Sequence, residues 1–120
     1  MTVENGVIEK EIQGKTVGFK FGTYTFKVIR QLTGIEVMED VFRKLTVNNN
    51  VEFLVSFLQA CAIHYAKEKG QNSEITEEQV CDWMDEIGLA DSRMMIMELI
   101  KAFTVKNLKA PVTAGQDQPA

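Results

Sequence analysis

The segment from Val51 to Tyr65 constrains the fold more than any other, because it carries more apolar residues than one face of a surface helix can hold. At about 100° per residue, Val51, Leu54, Val55, Leu58, Cys61, Ala62 and Tyr65 form one stripe, and Phe53 and Phe57 widen it on one flank. The apolar arc spans roughly 200°, against about 100° for an ordinary amphipathic helix. Such a helix is either the hub of a core, covered from several sides, or it keeps part of its apolar surface for a partner.

A chain of 120 residues has room for one domain around a single core. With 45% hydrophobic and 25% charged residues its composition is that of a soluble globular protein, and the net charge of -4 argues against affinity for phosphate backbones. Nucleic acid is therefore not an expected partner. No basic segment followed by an apolar stretch opens the chain, and no run reaches the roughly 18 apolar residues that span a bilayer, so a cytosolic protein without membrane contact is expected. Cys61 and Cys81 each fall on an apolar helix face, which predicts two buried, reduced thiols rather than a disulfide.

The pattern predicts an α+β fold, a short N-terminal hairpin packed on a mainly helical bundle of four to five helices. Gly14-Lys15 between Val7 to Gln13 and Thr16 to Phe21 suits a two-residue turn, placing Ile12 opposite Val17, Lys10 opposite Phe19 and Glu9 opposite Lys20. One side then carries Ile8, Ile12, Val17, Phe19 and Phe21. Helices are expected over about 23–33, 36–45, 50–69, 77–87 and 92–105, inside a single domain spanning 7–106. The first would bury Tyr24, Val28 and Leu32 and close at Gly34, while Met38, Phe42 and Leu45 mark the second. Asn48, Asn49 or Asn50 caps the third, and Thr76 with Gln79 forms a capping box for the fourth. Val80, Trp83, Met84 and Ile87 make the fourth helix's inner stripe, which Gly88 terminates. Asp91 or Ser92 would cap the fifth, with Met95, Ile96, Leu99, Ile100 and Phe103 inward. Residues 1–6 are expected to be a flexible lead-in, and 107–120, rich in Ala, Pro, Gly, Gln and Asp, a disordered tail.

Catalytic constellations are thin. His64, the single histidine, stands one helical turn from Cys61, but a structural zinc needs four ligands and a catalytic thiol needs an oriented base in an open cleft. Cys61 is therefore assigned to the core and His64 to its edge. Glu78, Asp82, Asp85 and Glu86 share one convex helix face, the reverse of carboxylates that confront a substrate from two sides. The glycines at 14, 18, 22 and 34 lack the spacing of a phosphate-binding loop. The chain is expected to be no enzyme and to need no cofactor or metal.

A helix-turn-helix reading of Thr76 to Phe103 meets the wrong charge, since Glu74 to Ile100 holds eight acidic residues and one basic residue, Arg93. Methionine is more informative. Met94 and Met97 fall outward on the last helix beside Lys101, and flexible thioethers suit surfaces that accept varied apolar partners. Met94 and Met97, with Phe53 and Phe57, are the candidate contact residues. For the two phenylalanines, cover by the second helix or the hairpin is the equal alternative, and self-association into a homo-oligomer would also satisfy all four.

The run Gly14-Lys15-Thr16-Val17-Gly18-Phe19-Lys20-Phe21-Gly22, leading into a short helix, resembles the opening of tail assembly chaperones of long-tailed, siphovirus-like bacteriophages and prophages. In that family a small hairpin with a Gly-Lys turn and a Phe-x-Phe-Gly strand end precedes a bundle of helices. The likeness extends from Val7 to about Lys106 and lies mostly in size, order and helix count. It implies a non-catalytic protein of the host bacterial cytosol that shields apolar helical segments of a tape measure protein and helps recruit tail tube subunits. The matched hairpin residues look like scaffold and carry no implied binding role. A small DNA-binding regulator and a minor structural virion subunit are the alternatives.

Overall fold

The computed structural model describes residues 6–47 and 50–107, with no side-chain detail at 46, 47, 106 and 107. The expected flexible start at 1–5, the Asn48 and Asn49 caps and the tail from 108 lie outside the described residues. An antiparallel hairpin of β1 (Val7–Ile12) and β2 (Lys15–Lys20) precedes five helices, α1 (Thr23–Thr33), α2 (Met38–Val47), α3 (Val51–Glu68), α4 (Glu77–Ile87) and α5 (Leu89–Asn107). The class is α+β, a hairpin on a helical bundle, as the sequence pattern predicts.

The turn sits one residue earlier than expected, at Gln13-Gly14, with φ of 54° and 80°. Positive φ at both central residues matches the right-handed twist of the flanking strands. The pairing becomes Ile12 with Lys15, Lys10 with Val17, Glu9 with Gly18 and Ile8 with Phe19. Each partner moves by two positions, so the period of two preserves which side chains share a face. Ile8, Ile12, Phe19 and Phe21 are buried as expected. The other face is not simply solvated: the Tyr65 ring from α3 lies against Gly18, where a Cβ would come within 2.2 Å of it. Gly6, expected in the lead-in, is buried, and its carbonyl accepts the Phe21 N–H at 2.9 Å.

α3 is the hub. It packs against β2, α1, α2 and α4, and Leu54, Val55, Phe57, Leu58, Ala60, Cys61 and Ala62 are all buried. Asn50 accepts the Phe53 N–H at 3.1 Å as its N-cap. At the other end Gly70 at φ 69° lets the N–H groups of Gly70 and Gln71 turn back to Lys67 and Ala66, a Schellman closure. Around Phe21 the rings of Phe57, Phe103, Phe26 and Phe42 gather at centroid distances of 5.0, 5.0, 5.1 and 6.3 Å. This cluster ties the strand end to α1, α2, α3 and α5.

Several local expectations change. α1 closes at Gly34 (φ 80°) as predicted, but it buries Thr25, Val28 and Ile29, leaving Leu32 exposed. α2 begins two residues late, because Val37 acts as the carbonyl that starts the turn, accepting the Asp40 N–H at 3.0 Å. The Thr76 capping box is present, with Gln79 N–H to Thr76 Oγ1 at 3.1 Å and the return bond at 2.9 Å. Neither Asp91 nor Ser92 caps α5. Gly88 (φ 97°) alone joins α4 to α5, its N–H donating to Met84 and its carbonyl accepting from the Ser92 N–H and hydroxyl. Ser92 is thus inside the helix, back-bonded and buried. Cys81 is exposed rather than buried, since α4 sinks only Val80 and Met84 fully and Cys81 lies beyond that narrow stripe.

Candidate functional site

Met94 and Met97 stand where the sequence places them. They are 56% and 51% exposed on the side of α5 opposite its core stripe. Met95, Ile96, Leu99 and Phe103 are buried beneath, and Ile100 is half-buried. With Met94 set at 0°, the 100° advance puts Met97, Lys101 and Val105 within about 60° of it. All three are exposed. α5 therefore presents apolar residues on two opposed sides, and the described residues cover only one of them.

Phe53 and Phe57 do not join that surface. They are 5% and 0% exposed, so a partner cannot reach them without unfolding the bundle. The Phe57 ring packs on Phe21, just after the hairpin, at 5.0 Å between centroids, and Phe53 lines the floor of a groove shared with Thr33, Ile35 and Lys44. Apart from Val51, the wide arc of α3 is filled by intramolecular neighbours, and of the four candidate contact residues Met94 and Met97 remain exposed.

Two surface grooves add apolar surface elsewhere. One, of about 310 Å³, lies between α1, the α1–α2 connection and the end of α5, with Phe26, Ile35, Met38 and Phe103 in its lining and Lys27 and Arg30 at its edge. The second, of about 270 Å³, sits where the start of α3 meets the Gly88 corner, lined by Val51, Val55, Met84 and Leu89 with Asp85 beside them. Val51 and Leu89 are exposed. Sequence periodicity assigns Val51 to the apolar stripe, and at the first turn of α3 the described residues leave it exposed.

The polar network of greatest structural consequence centres on His64, which the sequence places at the edge of the core without naming its partner, Thr25. His64 is buried, and its Nδ1 lies 2.8 Å from Thr25 Oγ1. That hydroxyl donates to the Lys20 carbonyl at 2.8 Å and accepts the Gly22 N–H at 3.0 Å. Its single proton is thus spent on Lys20, which makes His64 Nδ1 the donor of the pair and leaves Nε2 facing Glu68 at 3.9 Å. Burial, then the Lys20 ammonium, lowers the His64 pKa below the usual 6.5, while Glu68 opposes and Lys67 adds to the lowering. Glu68 is itself lowered by its 2.8 Å bond to Lys20 Nζ. Tyr65 donates to Glu9, which raises the phenol's pKa together with burial. These bonds bolt the end of β2 and the start of α1 onto the last turns of α3. The signal available in sequence was the histidine itself, since a buried imidazole requires a hydrogen-bonding partner.

Chemically the cluster is closed. The Thr25 hydroxyl is fully buried and fully used, and burial pushes the Cys61 thiol well above its ordinary pKa, away from the thiolate. Among the described residues no group of three or more His, Cys, Asp or Glu side chains could hold a metal ion. Glu78, Asp82, Asp85 and Glu86 are exposed on α4. No described helix is long and apolar enough to cross a membrane. No family model, curated protein or solved structure matches this chain. The functional reading rests on its own surface and on the resemblance of its hairpin.

Proposed function

We propose that this chain is a non-catalytic tail assembly chaperone of the long-tailed phage and prophage type. It shields apolar helical segments of a tape measure protein and helps to recruit tail tube subunits to it. The observation that carries the reading is the outward face of α5, where Met94 and Met97 are exposed on a helix whose other side fills the core. A client helix would lay its own apolar stripe along such a face, and thioethers adapt to varied partners. The Gly14 to Gly22 run supports it as scaffold, with Phe19 and Phe21 buried at the hairpin's inner side. The acidic face of α4 would keep a complex with an apolar client soluble in the bacterial cytosol.

The regulator alternative gains nothing from the geometry. α4 and α5 meet at Gly88 alone, without the 3–4-residue turn usual in a helix-turn-helix, and the exposed residues of α4 include Glu77, Glu78, Asp82, Asp85 and Glu86. Co-expression with a tape measure protein, a long helical chain sought in the reading frames beside this one, tests the proposal. The expected result is that more of that protein stays soluble and co-purifies, and that Met94→Glu with Met97→Glu abolishes both effects. A client that aggregates equally with and without the folded chain would overturn it. A chain retained in finished particles would favour the virion-subunit alternative.

A further inference from the structure

The groove between α1, the α1–α2 connection and the end of α5 joins an apolar floor to two cations that the described residues leave without a carboxylate. Val41 and Phe103, both buried, form its base, Phe26, Ile35 and Met38 are half-buried along it, and Val37 is 50% exposed at its rim. Phe26, Lys27 and Arg30 come from one side of α1, at helical spacing, and make a wall of more than one turn. Lys27 and Arg30 are exposed, and among the described residues neither makes an ion pair. Lys27 leans over the Tyr24 ring instead, its Nζ 5.8 Å from the centroid. Glu36, in the connection, also lines the groove; it too is exposed and outside any ion pair among the described residues.

Volume and openness select the kind of occupant. At about 310 Å³ the groove stands at the lower end of small-ligand sites, about 300–1,000 Å³, and such sites enclose most of their ligand. Here Val37, Lys27, Arg30 and Glu36 are all exposed, so the groove is open along its rim. An open groove beside a helix suits a side chain delivered by a segment that crosses it, as when an amphipathic helix lays its apolar face down. Charge then selects the segment. Two cations on the α1 wall outweigh the one carboxylate in the connection, so an acidic residue on the occupant is attracted and a basic one repelled, and arginine holds a carboxylate with paired hydrogen bonds. The groove at the Gly88 corner is the internal contrast, since it is of similar size and apolar lining but its one charged residue is Asp85.

We propose that this groove binds an amphipathic helical segment of another protein, seating one large apolar side chain on Phe26, Met38 and Phe103 and holding an Asp or Glu one turn away with Lys27 and Arg30. The inference goes beyond the chaperone reading, which rests on the outer face of α5. Its test uses no tape measure protein, so either reading can fail while the other stands.

Two helical host peptides of equal apolar content, carrying either Glu or Lys one turn from a central Phe, are titrated into the full chain and followed by NMR. The expected result is that the Glu peptide shifts the signals of Phe26, Ile35, Met38 and Phe103 and binds about tenfold or more tightly than the Lys peptide, a preference that shrinks with added salt. Lys27→Glu with Arg30→Glu, both at exposed positions, reverses the preference. Lys27→Gln with Arg30→Gln abolishes it, which decides the matter should the charge reversal disturb α1. Absence of shifts at the groove up to millimolar peptide, equal binding of the two peptides, a preference that survives the charge reversal, or shifts confined to the Gly88 corner would each overturn the proposal. Decanoate that binds the groove more tightly than the Glu peptide would overturn it as well and assign the groove to small amphiphilic carboxylates.

Discussion

α3 and α5 both carry apolar residues around more of their circumference than a surface helix needs, and they end in opposite situations. α3 lies in the middle of the chain, so the hairpin, α1 and α2 before it and α4 after it can all fold back onto it. Phe53, on the flank that could have stayed open, is 5% exposed. α5 closes the described fold and packs chiefly on α4 and β1. Its inner stripe joins the core, and Met94, Met97 and Val105 stay in water at 56%, 51% and 60% exposure. An apolar arc reports demand for cover, and position in the chain decides whether that demand is met internally.

The contrast is broken most severely at the hub. Phe57→Ala, which empties a fully buried ring from the aromatic cluster, is expected to cost about 3–5 kcal/mol, read from urea denaturation. A protein that loses less than about 1 kcal/mol would show that α3 is not the hub. Next comes Gly18→Ala, which forces a Cβ into the Tyr65 ring and should cost about 1–3 kcal/mol by overpacking. The same change made in a Tyr65→Ala protein should cost clearly less, because the two sites share one contact.

The bolt between hairpin and hub is the third probe. Thr25→Val leaves the His64 Nδ1–H, the Gly22 N–H and the Lys20 carbonyl without their shared partner, for an expected loss of about 1–3 kcal/mol. His64 also sets a pH dependence. Its folded pKa lies below 6.5, so the folded state takes up the proton less readily than the unfolded chain. Its full contribution is present above pH 6.5 and is lost as pH falls from there until the folded imidazole titrates as well. Urea midpoints measured downward from neutral pH should fall in the wild type, and His64→Gln should flatten that part of the profile.

The smallest effect belongs to the open face. Met94→Ser and Met97→Ser should each change stability by no more than about 0.5 kcal/mol, read from urea denaturation. A loss near that of Phe57→Ala would mean that the methionines belong to the core and would erase the difference between α3 and α5.

Much of this molecule can be read from its residues, for physical reasons that differ by element. Thr76 and Gln79, Asn50, and the glycines at 34 and 88 act within one turn of chain, so their roles as caps and stops are present in the local sequence. The alternation of Ile8, Ile12, Phe19 and Phe21 survived a two-residue change of register, because the period of a strand is two. The turn itself was misplaced, since Gln13 is not a residue whose type announces positive φ. Ser92 has the composition of a cap and the position of a core residue, and only the direct Gly88 junction decides between them.

What the sequence by itself determined is the α+β class, the order of the elements, the inner faces of the hairpin and α5, and the outward placement of Met94 and Met97. Periodicity and capping are local, and these features depend on nothing further. The tertiary structure decided that Phe53 and Phe57 are core, that Cys81 and Val51 face solvent, and that Thr25 and His64 meet across 39 positions. Each of those outcomes depends on which elements come to lie over a given face. That is settled by the free energy of burying the whole set together, which no single helix encodes.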